Sequence, residues 1–318
     1  MRRQKSLLLA VLIIFVVAYC TPIPSRATLR SVCNIFWNTL GPAPKAKIVT
    51  VGNSVVRHVS KCDQDRRSIT EITSNALAQP ILDLSYGGQT FLEMINYAAI
   101  ALKSPQFETV IIFLSLWSLQ ESNDADLQTL MFFRAAGGPY ATNDIPTRLE
   151  RQWNRRDEPD DPFTYKGTRY PAYDEIKRTF FAFEKANMPC PEQMGQNRAF
   201  IEAYYWNDLL RVPLSESNIF DLKALQQAAE ARGKRVIVVV LPDNFEDIES
   251  LDGALAHEAR STANASIALM EKAGVHFRRT PEINASQFAD RWCACGHLGD
   301  QGRQIVAVET ALELQRGR

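Results

Sequence analysis

The stretch Lys47-Ile48-Val49-Thr50-Val51-Gly52-Asn53-Ser54 decides how the rest of the chain is read. Residues 48–51 are all β-branched, which favours a strand, and they run without a polar alternation. A continuous run of this kind belongs to a strand buried on both faces, as in a parallel sheet. Gly52 ends the run, and Asn53 and Ser54 are residue types that start helices. A strand that stops at a glycine and passes straight into a helix is a βα corner.

The same grammar recurs along the chain. Ile81–Leu84 runs into Ser85-Tyr86-Gly87-Gly88, and Phe91–Leu102 then shows helical spacing. Val110–Leu114 forms a third run. Val236–Leu241 forms a fourth, after a helix ending at Gly233 and before Pro242. A weaker fifth, Val275–Phe277, follows a helix-like 263–273 and its terminating Gly274. Strand runs alternating with helical periods predict a three-layer α/β/α fold around a central parallel sheet. Residues 28–318 then form one domain, with 121–217 as a long, mostly helical insertion between strands three and four. Its best helical stretches are 174–185 and 197–210. Leaving a strand's carboxyl end, such an insertion can roof a ligand site or pack aside as a structural excursion.

Composition narrows the function classes. The chain has 318 residues, 46% of them hydrophobic and 23% charged, which excludes collagen-like and wholly disordered chains. Lys and Arg number 36 and Asp and Glu number 36, so no basic excess exists for a nucleic-acid partner. Walker A and G-x-G-x-x-G fingerprints are both missing, which argues against a nucleotide-binding domain.

The N-terminus has its own character. Arg2, Arg3 and Lys5 precede an apolar run from Leu7 to Tyr19, and Ser25-Arg26-Ala27 places small residues at a cleavage site. Residues 1–27 therefore read as a signal peptide or an uncleaved signal-anchor, and either exports the body. Membrane contact would come only through that segment. Cleavage leaves 32 basic against 36 acidic residues, a balance of −4. It also leaves Cys33, Cys62, Cys190, Cys293 and Cys295, an odd set whose pairing the sequence does not assign. Cys293-x-Cys295 is too close-set, and without a second pair, to imply a metal, and no cofactor is expected.

Ser54 at the end of the first strand would project its hydroxyl past the sheet. Its own N–H lies where a helix dipole favours developing negative charge. Of the four histidines, His297 lies between Gly296 and Gly299 at a strand-to-helix junction, where a base would be useful. His58, one turn after Ser54, reads as a packed or capping residue, and His257 and His276 as structural.

These blocks resemble the SGNH (GDSL-like) hydrolase superfamily, with its flavodoxin-like fold. Gly52-Asn53-Ser54 is similar to its strand-G-D-S block, and the Gly87-Gly88 turn to its second-block glycine. His297-Leu298-Gly299-Asp300-Gln301-Gly302 is similar to its last block. The resemblance covers roughly 46–120 and 218–316 and omits the insertion. It implies Ser54 as nucleophile, His297 as base, and an oxyanion held by the N–H groups of Ser54 and Gly88. It also implies an acylated carbohydrate or small ester as substrate. Three departures stand out. Asn53 replaces the family's Asp, and Ser115-Leu116-Trp117-Ser118 lacks the Asn of the third block. Ala294 occupies the place of the Asp before the histidine, leaving Asp290 as the nearest upstream carboxylate. Asp300 would sit on the wrong side if it opens the following helix. Polysaccharide acetyltransferases of the alginate type also depart from the third block, so the resemblance is nearest to that exported branch. The rival reading is a non-catalytic envelope protein that keeps the fold to bind glycan or an assembly partner.

Export yields a direct test. An enzyme reporter fused after Arg318 is expected to be active only outside the cytoplasm, and activity inside it would refute the leader reading.

Overall fold

The computed structural model describes residues 45–60, 63–119, 214–289 and 296–316, with 33–35, 133, 163–165, 168–170, 198 and 201–202 besides. The leader and most of the insertion lie outside the described residues. In chain order the elements begin with β1 (Ile48–Val51), α1 (Ser54–Arg57), α2 (Ile69–Leu77), β2 (Ile81–Asp83), α3 (Phe91–Lys103) and β3 (Thr109–Leu114). A short hairpin, β4 (Phe163–Tyr165) and β5 (Thr168–Tyr170), falls within the insertion. The chain continues through α4 (Glu216–Glu230), β6 (Arg235–Val240), α5 (Phe245–Leu251), α6 (Gly253–Lys272), β7 (Phe277–Arg279) and α7 (Asp300–Arg316).

Among the described residues, one five-stranded sheet has the order β2-β1-β3-β6-β7, and every pair in it is parallel. This is the expected α/β architecture. Alternate strand residues feed two cores. Val49, Val51, Val110, Ile112, Val238 and Val240 pack with α3, α4 and α6 on one face. Ile48, Ile111, Phe113 and Val239 pack with α1, α2 and α7 on the other. Both faces are therefore covered, as the uninterrupted β-branched runs require.

Two departures from the sequence expectation have local causes. The last strand starts at Phe277, two residues later than expected, because α6 closes with a Schellman turn. Gly274 takes a left-handed φ of +69°. Its N–H bonds Glu271 O, and the Val275 N–H bonds Met270 O. The backbone of His276 is then taken by the Gln226 side chain, which accepts from its N–H at 3.0 Å and donates to its carbonyl at 2.6 Å. The second departure is the hairpin within the expected mostly helical insertion, where Phe-Thr-Tyr and Thr-Arg-Tyr flank a two-residue Lys166-Gly167 connection. Aromatic and β-branched runs around such a connection are a hairpin signal.

The C-terminal helix is fastened by one side chain. Arg303 is fully buried, and all five guanidinium N–H groups have acceptors. Nε donates to Arg67 O at 3.0 Å, and Nη1 to Asp63 Oδ2 at 2.6 Å and Leu298 O at 2.9 Å. Nη2 donates to Asp65 O at 2.6 Å and Asp300 Oδ1 at 2.8 Å. Removing the cation strands two carboxylates and three carbonyls, and breaking such a buried pair typically costs about 3–5 kcal/mol. Arg303→Met should therefore lower unfolding free energy by about that much in urea titrations. Arg303→Lys should recover only part of it, because an ammonium has three donors. A loss below about 1 kcal/mol in Arg303→Met would contradict this account.

Candidate active site

The strand order reverses between β1 and β3, since β2 lies outside β1 on one side and β6 beyond β3 on the other. Ligands of open parallel sheets bind at that switch point, beyond the carboxyl ends of the strands. Ser54 stands there.

Its block is set by packing. A Cβ on Gly52 would come within 2.5 Å of Val56 Cγ2 and 3.1 Å of Phe113 Cβ, so only glycine lets β1 pass this closely under α1 and beside β3. Asn53 is completely buried and caps α1, its Oδ1 accepting from the Val55 N–H at 3.0 Å. That bond fixes the amide orientation, so Nδ2 faces Ser115 and donates to its Oγ at 3.2 Å. A buried aspartate would carry an uncompensated charge here, whereas the amide supplies one acceptor and one donor at no charge cost. The departure from G-D-S thus ties the first block to the third. Gln89 ties it to the second. Its Oε1 accepts from Gly52 N–H at 2.9 Å, and its Nε2 donates to Leu84 O at 3.3 Å.

The turn after β2 passes directly beside the serine. A Cβ on Gly87 would lie 3.9 Å from Ser54 Cβ, and Gly88 adopts a left-handed φ of +77° that favours glycine. The helix opening at Ser54 is a single turn, Ser54–Arg57. So short a row of peptide dipoles adds little, and local N–H groups are what Ser54 can offer an oxyanion.

His297 reaches the site from the other end of the chain. Its carbonyl accepts from Ala289 N–H at 2.7 Å, Leu298 bridges to Phe288, and Gly299 N–H donates to Gln287 O at 2.8 Å. Gly302 lets α7 approach this loop, since a Cβ there would meet Gln287 O at 2.6 Å. The result is a contact of 2.9 Å between His297 Nε2 and Ser54 Oγ, across 243 residues of sequence. Both residues are half-buried.

Other expected positions fall as follows. Asp290, Ala294, Cys293 and Cys295 lie outside the described residues. Asp300 opens α7 and points away from the pair, accepting from Gln64 and Asp65 N–H groups and from Arg303. His257 is exposed on α6. Cys33 is an exposed free thiol. Among the described residues no three His, Cys, Asp or Glu side chains converge as a metal site would. No helix there is long and apolar enough to cross a membrane.

His58 was expected to cap or pack, and it does both. Its N–H donates to Ser54 O at 2.7 Å, closing α1. Its ring lies flat on His297, with centroids 4.2 Å apart and planes within 8°. The i, i+4 spacing of Ser54 and His58 was the available signal, but the partner ring is far off in sequence.

A cleft of about 510 Å³ is lined in part by Arg57, Arg66, Arg67, Ser68 and Asp83, and by neither Ser54 nor His297. Its guanidiniums are committed to the protein. Arg57 donates to Ser85 O, Arg66 to Ser60 O, and Arg67 to the Asp65 carboxylate.

No protein-family model matches the sequence, and no curated protein matches it. The fold is similar to several solved structures. A GDSL-like lipase from Bacteroides thetaiotaomicron has 9% identity and a TM-score of 0.43 over 92% of this chain and 98% of that one. An acetylxylan esterase from Geobacillus stearothermophilus has 11% identity and a TM-score of 0.39 over 85% and 94%. A lipase/acylhydrolase from Enterococcus faecalis has 8% identity and a TM-score of 0.38 over 86% and 96%. Likeness at this level says nothing of chemistry, which has to come from the site itself.

One further carboxyl at this edge titrates unusually. Burial raises Asp243, just beyond β6, from the ordinary 3.8 to about 7, with Arg279 pulling it partly back. Between those values the folded protein holds a proton that the unfolded chain has released. This contribution is fully present below about 3.8 and lost as pH rises through about 7. Asp243→Asn should therefore melt higher than the parent above about pH 7, with the gap closing toward pH 4. Tm measured for both proteins across that range checks the sign.

Proposed function

We propose that the protein is a serine acyl-ester hydrolase or O-acyltransferase that acts on an exported or cell-envelope carbohydrate. The observation that carries this is the 2.9 Å contact between Ser54 Oγ and His297 Nε2 at the switch point of the sheet. A serine hydroxyl is a weak nucleophile until a base within hydrogen-bond reach removes its proton.

In the proposed cycle Ser54 Oγ attacks the ester carbonyl while its proton passes to His297 Nε2. The N–H groups of Ser54 and Gly88 receive the oxyanion. Collapse breaks the acyl–oxygen bond, and His297 returns the proton to the departing alcohol. Water, or a sugar hydroxyl in the transferase case, then gives its proton to His297 and attacks the acyl-serine. Collapse of that second intermediate frees Ser54 and restores its proton. Asp290 is assigned the role of orienting His297. The charged and apolar pattern of residues 1–27, read as an export signal, supports an envelope substrate, and an ester of a polymer suits a turn as open as Gly87-Gly88.

The lack of an Asn in 115–118 favours a second reading, a non-catalytic binding protein, because losing one oxyanion donor typically costs about 100- to 1000-fold in rate. A fluorophosphonate separates the two, since it labels only an activated serine. Labelling at Ser54 is expected. Ser54→Ala and His297→Ala should each reduce turnover of a small acetyl ester by roughly 10⁴-fold or more, with the double variant scarcely worse. Asp290→Asn should do less damage. Unlabelled Ser54, with no turnover of acetyl esters or sugar acceptors, would leave the binding reading in place.

A further inference from the structure

An imidazole on a loop has a soft torsion about its Cβ–Cγ bond, and fixing its backbone does not fix its ring. The bonds at Ala289, Phe288 and Gln287 hold the backbone of residues 297–299. The bond to Ser54 Oγ constrains one direction only, and to a hydroxyl that itself rotates. A flat side chain lying on one face of the ring can help set its plane.

We propose that His58 is a positioning residue for that plane, acting alongside the Asp290 assigned to orient the imidazole, by pressing one flat ring on another. The two rings are parallel to within 8° at a centroid distance of 4.2 Å, so any sizeable tilt of His297 drives its atoms into His58. His58 is itself anchored by the nucleophile's own residue, through the 2.7 Å bond from its N–H to Ser54 O. Ser54, His58 and His297 thus close a three-membered circuit. One link is backbone, one is the hydroxyl–imidazole bond, and one is ring on ring. The single turn of α1 is what makes this fit, because it returns residue 58 to the side of residue 54. A ring swung out of that plane would aim Nε2 away from Oγ, and misplacement of about 1 Å can cost on the order of 100-fold in rate.

What the stack supplies is a flat surface, so another flat ring should serve and a non-planar side chain should not. The kinetic part of this inference rests on the proposed acyl-ester chemistry; the geometric part does not. The experiment therefore combines acetyl-ester kinetics with crystal structures of three full-length variants. His58→Ala should lower kcat by about 10- to 100-fold with KM within about twofold, and His58→Phe should recover most of the lost kcat. His58→Leu keeps bulk without a plane and should behave like His58→Ala, which covers the case in which the alanine variant fails to fold. In the alanine or leucine crystals the His297 ring should rotate away or divide between two orientations, and in the phenylalanine crystals it should superpose on the parent. A His297 ring unmoved in both non-planar variants would overturn the proposal. So would a phenylalanine variant as impaired as alanine, since that would assign the role to a His58 nitrogen. Should the parent prove inert to esters and fluorophosphonate while the ring moves as described, the acyl-ester reading falls and the positioning role stands.

Discussion

A single buried guanidinium joins two parts of the chain that lie more than two hundred residues apart. Arg303 sits on the first turns of α7, yet its five donors reach the 63–67 loop, the start of its own helix and the carbonyl of Leu298. Taking that charge out of water costs several kcal/mol, and the cost is met only because no donor is left empty and two acceptors are carboxylates. Leu298 follows His297 directly. The loop that carries the candidate base is therefore braced in part by this charge network. The apolar side of α7, through Val306, Ala307 and Leu314, lies in the same core as α1 and α2, so packing and charge act on one joint.

The serine is held by different means. Gly52 brings β1 against Phe113 and Val56 so closely that α1 must begin at once, and the hydroxyl leaves the sheet at its edge. Asn53 and Gln89 then bind this corner to the exits of β3 and β2. An amide at residue 53 does what a carboxylate could do for the cap, but also donates sideways to Ser115 without a buried charge. That choice fits a site whose third strand ends in Ser115-Leu116-Trp117-Ser118. There the neighbouring group is a hydroxyl able to accept.

Features carried by consecutive residues were legible in the sequence. The runs at 48–51, 110–114 and 236–241 announce buried parallel strands by composition alone, and Gly233 and Gly274 mark the helix ends before β6 and β7. Ser54 and His297 stood out because each sits beside glycine at a strand-to-helix corner. What escaped was whatever depends on a partner distant in sequence. Arg303 looks like any polar residue of an amphipathic helix until the 63–67 loop is folded over it. His58 shows its one-turn relation to Ser54 but not the ring stacked on it. The start of β7 slipped because a glutamine in α4 takes the backbone of His276, a side-chain decision that strand propensity does not register. The hairpin at 163–170 is a local exception, its signal carried by Phe-Thr-Tyr and Thr-Arg-Tyr around Lys166-Gly167 within an otherwise helical pattern.

The two halves of the site consequently differ in what can disturb them. Ser54 rests on β1 and on the two neighbouring strand exits, so moving it requires deforming the packed sheet. His297 rests on a loop whose backbone bonds and bridge run to residues 287–289 and whose Leu298 carbonyl is clamped by Arg303 of α7. A hydroxyl–imidazole pair at 2.9 Å tolerates only a few tenths of an ångström of drift. Drift at this site would thus come from the α7 side. A substitution at the α7–α2 seam, far from both reacting atoms, can displace the base while leaving the nucleophile in place. Ring stacking opposes that drift locally, because His58 belongs to the serine's half of the structure and touches the histidine's. Through it the position of His297 is referred back to Ser54 itself as well as to the helix behind it.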